Sequence, residues 1–314
     1  MNESEKSRKM CNTAANKKQM HPRNIFRQPP DYTELAIKYP EFRRVCKLEL
    51  CGKVCIDYKN EAALRALTQT LLREYFQLAV EFAPGSLVPT LPLRLNYILW
   101  LEDIVPPEVK ETPLRGIDIG CGSSCIYSIL AAKKNNWQML ALEANATNLQ
   151  YAAKNIENNK LSSLITLYPQ KHTTQIFQEY FSEENCSSPY KIYDFCLCNP
   201  PFFDSQNENN HKTRKSNKRP PPHNCPTGYK EELSCQGGEV KFVEQIIEES
   251  LLFKQQIRVY TTMLGLKSSL VDVLNILKHK NILNVCSTEF HQGNTTRWGV
   301  AWSFEKDIDL TKFQ

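Results

Sequence analysis

The sequence predicts an α/β fold: a doubly wound, mostly parallel sheet of seven strands with helices on both faces, preceded by an α-rich N-terminal part. From Leu114 onward, short apolar runs alternate with amphipathic stretches, as in parallel sheets with helical crossovers. Before that point, apolar side chains such as Leu64, Leu67, Leu71 and Leu72 recur at helical spacing. With 314 residues, of which 41% are hydrophobic, the chain can bury a full core.

Seven segments have the pattern of strands, and they are 115–119, 138–143, 164–168, 193–198, 258–264, 284–290 and 298–304. The segments 124–135, 146–159, 239–255 and 268–279 are predicted helices. Only residues 291–297 separate the last two strands, which is too short for a helical crossover. We therefore expect those two strands to pair antiparallel.

The charge distribution suggests the domain organisation. Residues 1–30 are a predicted basic flexible arm, and residues 31–112 are an α-rich part that packs on the sheet domain. The sheet domain spans residues 113–306 and contains a basic insertion at 204–238, and residues 307–314 are a tail. The chain has a net charge of +5, and residues 1–30 and 211–223 each carry +5, so the remainder is acidic. Flexible basic segments on an acidic body are typical of phosphate-binding arms, although solubilising tails have the same composition.

The cysteines favour buried reduced thiols of an intracellular protein, because most of them lie in apolar stretches. With no C-x-x-C pair and no H-x-x-x-H pair, no metal site is predicted. No apolar run approaches the roughly eighteen residues of a membrane span. The N-terminal sequence MNESEKSRKM also lacks the apolar stretch of a secretion signal, so neither a membrane nor a secreted protein is expected.

A glycine-rich turn follows the first strand of the predicted sheet. In Gly116-Ile-Asp118-Ile-Gly120-Cys-Gly122-Ser-Ser124, glycine allows the backbone to approach a ligand, and the helix that follows presents free amides. The third glycine of the dinucleotide fingerprint is replaced, which argues against a nicotinamide or flavin. Glu143 ends the next strand about twenty residues later, where a carboxylate can accept hydrogen bonds from ribose hydroxyls. A tight turn and a solvated strand-end charge are the plain alternatives.

The near-continuous apolar run at 193–198 ends in Asn199-Pro200-Pro201-Phe202, at the strand end where open α/β sheets bind ligands. The Asn199 side-chain oxygen and the Pro200 carbonyl can both accept hydrogen bonds from one NH2 group, while Phe202 stacks on the attached ring. An adenine amine is a poor nucleophile, because its lone pair is delocalised. Paired acceptors would direct that lone pair at a sulfonium methyl group, so that catalysis rests on orientation and electrostatics. An ordinary Asn-Pro-Pro turn is the alternative.

Taken together, these motifs resemble the U6 small nuclear RNA adenosine N6-methyltransferase family of the methyltransferase-like 16 type. The residues that carry the resemblance are 92–97, 116–127, 193–203, 219–222, 237–239 and 298–304. The resemblance implies a class I, Rossmann-like methyltransferase fold and S-adenosylmethionine as cofactor. It also implies a structured RNA partner, U6 small nuclear RNA or a similar hairpin, that presents an unpaired adenosine.

The resemblance carries over residue by residue. It places cofactor contacts at Arg94, Gly120, Ser124, Glu143 and Asn199, and catalysis at Asn199, Pro200, Pro201 and Phe202. We add Gly122 and His172 to the candidate cofactor contacts, and also Asp118, which can either orient the loop or contact the amino-acid moiety of the cofactor. It places RNA contacts at Pro29, Pro30, Asp31, Tyr32, Lys212, Arg214, Lys215, Lys218, Arg219, Lys267 and Arg297. The charge of the N-terminal arm adds Arg23 and Arg27 to these candidates. The chain departs from the family at His172, where the family has a threonine, and at Asn294, where it has an arginine. Lys171 falls on a loop that can shield the cofactor pocket in the family, so self-inhibition is a hypothesis.

We therefore expect a monomeric RNA (adenine-N6) methyltransferase that resides in the nucleus and can also occur in the cytoplasm. Two alternatives from other classes remain. His172 and Asn294 motivate an RNA-binding protein with weak or lost methyltransferase activity. A protein glutamine-amide methyltransferase would hold its amide with the same kind of tetrapeptide, but that class favours tyrosine at the position of Phe202.

Overall fold

The structure of the protein, a computed structural model, describes residues 19–106, 112–172, 175–182, 193–201, 203–204, 228 and 234–313. The N-terminal part contains a 3-10 helix at Ile25–Arg27, the helices α1 (Tyr32–Lys38), α2 (Pro40–Arg43), α3 (Glu61–Phe76) and α4 (Leu91–Ile104), and the antiparallel strands β1 (Cys46–Leu48) and β2 (Val54–Ile56). The hairpin of β1 and β2 was not predicted, because strands of three residues are too short to show a periodic pattern.

The sheet domain alternates strands and helices along the chain. Its elements are β3 (Arg115–Ile119), α5 (Ile126–Asn135), β4 (Gln138–Glu143), α6 (Ala146–Asn158), β5 (Ile165–Pro169), α7 (Gln178–Ser182), β6 (Tyr193–Cys198), β7 (Phe203–Asp204), β8 (Ser234–Cys235), α8 (Gly238–Leu252), β9 (Ile257–Leu264), α9 (Lys267–His279), β10 (Val285–Gln292), β11 (Thr295–Ser303) and a 3-10 helix at Leu310–Phe313. β7 and β8 form a separate two-stranded parallel pair.

The main sheet has seven strands in the order β10-β11-β9-β6-β3-β4-β5. β3, β4, β5, β6 and β9 are parallel, and β11 runs antiparallel to both β9 and β10. The predicted mostly parallel sheet and the antiparallel pairing of its last two strands are therefore confirmed. The last two strands extend further than predicted, because their ladder continues up to a two-residue turn at Gly293 and Asn294.

The core occupies both faces of this sheet. One face packs against α4 and α5, and the other against α8 and α9. β6 and β9 lie in the middle of the sheet and are buried at every position, which explains their near-continuous apolar sequences. α4 has 11 buried residues among its 14, so it is a core helix that carries polar side chains into the interior.

The first described residues differ from the predicted flexible arm. From Gln19 the chain packs on α4: Phe26 is 3% exposed, and the Asn24 amide donates to the Pro92 carbonyl at 2.8 Å and to Asn96 Oδ1 at 2.7 Å. A buried aromatic ring and a satisfied amide outweigh the entropy of a free segment. Residues 1–18 of the predicted arm lie outside the described residues.

The cysteines in the described part of the chain are free thiols. Cys121, Cys125, Cys196, Cys198 and Cys286 are buried, as expected, whereas the cysteines of the β1–β2 hairpin are half-buried or exposed. Within the same ranges, no helix is long and apolar enough to cross a membrane.

The direction of strand addition reverses between β3 and β6. The chain adds β4 and then β5 on one side of β3, and returns to add β6 on the other side. Ile119 pairs with Cys198 in the parallel ladder, so the next residues, Gly120 and Asn199, leave the sheet side by side. Open α/β sheets bind ligands at such a switch point.

Candidate active site

The turn after β3 needs glycine for its backbone conformation. Gly120 has φ of +67° and Gly122 has φ of +66°, both in the left-handed region that side chains disfavour. A Cβ atom built on Gly120 would meet no atom within 4 Å. The turn is therefore strained for other residues, and the space beside Gly120 is open to a ligand.

Polar side chains outside the motif support this turn. Ser123 Oγ lies 2.7 Å from Ser86 Oγ, and the Asn155 side-chain amide donates to the Ser123 carbonyl at 3.0 Å. Ser86 and Asn155 are both buried. They were missed at the sequence level, because nothing in their local sequence indicates that they meet a turn more than thirty residues away.

Glu143 connects the end of β4 to the glycine turn. Its carboxylate accepts hydrogen bonds from the backbone N–H groups of Gly122 at 2.8 Å, Ala144 at 2.9 Å and Asn145 at 2.8 Å. Glu143 therefore shapes the turn, and its contact with a ribose stays a prediction.

Asp118 holds the helix that follows the turn. Its Oδ2 accepts hydrogen bonds from Ser128 Oγ at 2.8 Å and from the Ser128 N–H at 3.2 Å. The residue is 1% exposed, and burial raises the pKa of its carboxyl to about 7. Of the two roles considered for Asp118, the structure shows the orienting contact, and contact with a cofactor stays a prediction.

The raised pKa of Asp118 predicts a pH effect on stability. Between the ordinary carboxyl pKa of 3.8 and about 7, the folded protein binds more protons at this group than the unfolded chain does. Its contribution to stability is therefore lost as pH rises through that window, by at most about 1.4 kcal/mol per pH unit.

We expect the Asp118→Asn variant to lack this loss of stability with rising pH. The free energy of unfolding of the variant minus that of the wild type should increase from pH 5 to about pH 7 and then level off. Urea titrations at several pH values measure this difference. Curves that stay parallel across the range would contradict the raised pKa.

Arg94 brings a buried positive charge to the same region. It lies on α4, is 6% exposed, and its guanidinium stacks 5.4 Å from the centre of the Tyr127 ring. Its Nη1 also contacts Met263 Sδ at 3.7 Å. Neither partner is anionic, so the guanidinium fits a carboxylate of a ligand in the crevice.

Asn199 carries the unsatisfied acceptor of the site. Its Oδ1 is buried and has no hydrogen-bond partner among the residues that the structure describes. A buried oxygen without a partner is costly, and such groups in native proteins call for a ligand or water. Pro200 is buried and Pro201 half-buried behind it, whereas Phe202 lies outside the described residues.

The loop after β5 lies next to Glu143, because the Gln170 N–H donates to the Glu143 carbonyl at 2.8 Å. The buried Glu179 carboxylate accepts from the N–H groups of Lys171, at 2.9 Å, and His172, at 2.8 Å. Glu179 is another residue that the sequence did not reveal. Ser124, which follows the glycine turn, is 5% exposed.

The N-terminal residues expected to contact RNA have partners within the chain. Arg23 pairs with Glu102 at 2.6 Å and with Asp103, and Arg27 donates to the Pro22 carbonyl at 3.3 Å. Asp31 caps α1 directly after Pro29 and Pro30, and Tyr32 Oη lies 2.9 Å from Tyr58 Oη. Their RNA contacts stay predictions.

Two further candidates lie near the carboxyl end of β9. Lys267 is exposed at the start of α9, and the half-buried Arg297 donates to the Thr296 carbonyl at 3.1 Å. Glu239, which the sequence did not indicate, accepts from the Gly265 N–H at 2.6 Å and so joins α8 to the turn before Lys267. The candidates Lys212, Arg214, Lys215, Lys218 and Arg219 lie outside the described residues.

The sheet order and this crevice define a class I methyltransferase whose cofactor is S-adenosylmethionine. A model of an RNA methyltransferase family matches residues 14–306. The chain belongs to this family.

Relatives and solved structures agree with this assignment. A U6 small nuclear RNA (adenine-(43)-N(6))-methyltransferase of Drosophila pseudoobscura pseudoobscura is 57% identical over 94% of this chain and 96% of its own length. RNA N(6)-adenosine-methyltransferase METTL16 of Homo sapiens is 43% identical over 93% of this chain and 52% of its own.

The crystal structure of the hMettl16 catalytic domain in complex with MAT2A 3′UTR hairpin 1 is 43% identical, with a TM-score of 0.84 over 93% of this chain and 97% of that one. The N-terminal domain of human METTL16 in complex with SAH is 42% identical, with a TM-score of 0.75 over 92% of this chain and 100% of that one. The predicted family, fold, enzyme class and cofactor are confirmed.

Proposed function

We propose that this chain transfers the methyl group of S-adenosylmethionine to N6 of an unpaired adenosine in U6 small nuclear RNA and in related RNA hairpins. The single observation that supports this most is the buried Asn199 Oδ1, which lacks a hydrogen-bond partner within the described part of the chain and lies beside the open turn at Gly120. An acceptor in that position suits an amino group that must face the cofactor. The RNA named for the Drosophila and human relatives supplies the choice of substrate.

Different residues bind the cofactor and the substrate. When bound, the cofactor supplies an electrophilic methyl group on a sulfonium sulfur. Arg94 is suited to hold its carboxylate, and Glu143 to accept from its ribose, because the first is a buried cation and the second a strand-end anion. Asn199 accepts a hydrogen bond from the adenine amine and so orients the nitrogen lone pair. The adenosine must be unstacked to reach this crevice, which a loop or bulge permits at low cost.

One copy of the chain supplies both sides of the site, because Arg94, Gly120, Glu143 and Asn199 come from α4 and three strand ends of the same sheet. We therefore propose a monomer. Methyl transfer to an oriented amine requires no metal ion, and we propose none. The substrate is a small nuclear RNA, so we also propose nuclear residence, which does not exclude the cytoplasm.

The test uses methyl-labelled cofactor and a U6-derived RNA that contains the sequence around the adenosine numbered 43 in the name of the Drosophila relative. We expect label in the RNA, recovered as N6-methyladenosine after digestion. The matched control RNA replaces only that adenosine with guanosine and should take up no label.

Other outcomes would favour the alternative functions. Label that appears in protein instead of RNA would favour a glutamine-amide methyltransferase. RNA binding without any transfer would favour an RNA-binding protein that has lost its activity. Equal label in the adenosine and guanosine RNAs would contradict the proposed target.

A further inference from the structure

A chain of buried hydroxyl groups lies directly behind the Asn199 strand end. Tyr97 Oη is 2.7 Å from Thr261 Oγ1, and Thr261 Oγ1 donates to the Cys196 carbonyl at 2.7 Å. The Cys198 N–H donates to Tyr97 Oη at 3.4 Å. Tyr97 and Thr261 are both 0% exposed. We call these two hydroxyls the hydroxyl relay.

The relay has one possible direction of hydrogen bonding. Thr261 donates its only proton to the Cys196 carbonyl, so its oxygen must accept the proton of Tyr97. The Tyr97 oxygen can then accept the N–H of Cys198. Every polar group of the relay is satisfied in this arrangement, which makes it rigid.

The relay lies on the β9 side of β6, where strand pairing ends earlier than it does on the β3 side. The pairing of β6 with β9 ends at Cys196 and Tyr260, two residues before β6 itself ends. From there Tyr97 takes over, because its hydroxyl accepts the N–H of Cys198, the residue immediately before Asn199. The Tyr97 hydroxyl thus supplies a hydrogen-bond acceptor on the β9 side, at the residue immediately before Asn199.

The same helix also carries the cofactor-side cation. Arg94 and Tyr97 are three residues apart on α4, which places them on one face of the helix. Tyr127 contacts both of them: its ring lies 5.4 Å from the Arg94 guanidinium and packs edge-on at 5.4 Å from the Tyr97 ring. α4 therefore carries Arg94 on the cofactor side of the crevice and Tyr97 on the amine side.

We propose that Tyr97, acting with Thr261, is a positioning residue for methyl transfer: its hydroxyl holds the end of β6 so that Asn199 Oδ1 presents the amine at the correct angle to the methyl donor. This inference rests on the proposed function. In this proposal, neither the Tyr97 hydroxyl nor the Thr261 hydroxyl contacts the substrate. Their loss should therefore affect the rate of transfer much more than the affinity for the cofactor.

Tyr97→Phe tests the proposal, because it removes one oxygen and keeps the ring in its aromatic cluster. We expect kcat for methyl transfer to the U6-derived RNA to fall about 10- to 100-fold. The affinity for S-adenosylhomocysteine should change less than about twofold, since Arg94 and Glu143 are untouched. A bisubstrate analogue that joins adenosine N6 to the cofactor should bind about 10-fold more weakly, because it alone reports on Asn199.

The chain offers matched control variants. Tyr260→Phe removes a buried tyrosine hydroxyl, as Tyr97→Phe does. The Tyr260 hydroxyl donates to the Phe253 carbonyl at 2.7 Å and lies on the other face of the sheet. Thr262→Val removes the hydroxyl next to Thr261, which has no partner among the described residues. Both controls should keep kcat close to the wild-type value, whereas Thr261→Val should reproduce the defect of Tyr97→Phe.

Rescue and coupling complete the test. Thr261→Ser keeps the hydroxyl and should retain most of the wild-type kcat. The double variant Tyr97→Phe/Thr261→Val should be no slower than the slower single variant, because both act through one contact. The proposal is overturned if kcat falls no more in Tyr97→Phe than in Tyr260→Phe. It is also overturned if Tyr97→Phe weakens the binding of S-adenosylhomocysteine and of the bisubstrate analogue equally. A wild-type protein that neither methylates the RNA nor binds the analogue would instead overturn the proposed function.

Discussion

Asn199→Ala should lower the rate of methyl transfer about 100- to 1000-fold, the usual effect of removing one oriented polar group at a reacting centre. The variant loses the only side-chain acceptor that we assign to the adenine amine, so the amine nitrogen is no longer directed at the methyl donor. Single-turnover kinetics with saturating cofactor and U6-derived RNA measure this loss. The melting temperature should stay near the wild-type value, because Asn199 Oδ1 has no hydrogen-bond partner within the described structure.

Asn199→Asp is the matched variant, since it keeps an oxygen acceptor of nearly the same shape. We expect it to retain more activity than Asn199→Ala, although its charge changes the electrostatics around a cationic methyl donor. An alanine variant that keeps more than about a tenth of the wild-type rate would show that Asn199 does not orient the amine.

Glu143→Ala should raise the dissociation constant for S-adenosylmethionine about 100-fold. Two losses combine: the ribose loses a charged acceptor, and the N–H groups of Gly122, Ala144 and Asn145 lose the carboxylate that holds them. The glycine turn is then free to leave the conformation that accepts the cofactor. Isothermal titration calorimetry with cofactor and with S-adenosylhomocysteine measures both affinities.

Asp194→Ala provides the control for a lost buried carboxylate. Asp194 lies near the start of β6, at the amino ends of the parallel strands and so opposite the crevice. There it accepts a hydrogen bond from the Arg115 N–H at 2.7 Å and pairs with Arg258 at 3.2 Å. It should destabilise the fold but leave cofactor affinity of the folded protein within about threefold. Equal losses of cofactor affinity in the two variants would refute the role of Glu143 in the crevice.

The fold was predictable because the pattern of this chain is strong at the positions that matter. The largely apolar sequences of β6 and β9 follow from burial on both faces of the sheet. The short link between β10 and β11 allows only a hairpin. The N-terminal part was less predictable. The segment around Phe26 has the composition of a flexible arm and is ordered through contacts with α3 and α4.

The parts of the site that consist of consecutive residues were predictable from the sequence. The turn around Gly120 and the tetrapeptide that begins at Asn199 each form a local motif, and Glu143 follows at a recognisable distance. The supporting residues could not be found in this way. Ser86, Asn155, Glu179 and Glu239 are polar residues in ordinary local sequences, and only their contacts give them a role.

The amino-acid sequence by itself determined the type of sheet, the cofactor turn and the amine-binding tetrapeptide, because each depends on steric and hydrogen-bonding properties of neighbouring residues. Only the tertiary structure decided which distant groups complete them. It paired Ile119 with Cys198, so that two motifs far apart in the chain open into one crevice. It also placed the Tyr97 hydroxyl behind Asn199, because a buried helix must satisfy its polar side chains with whatever groups the packing brings within reach.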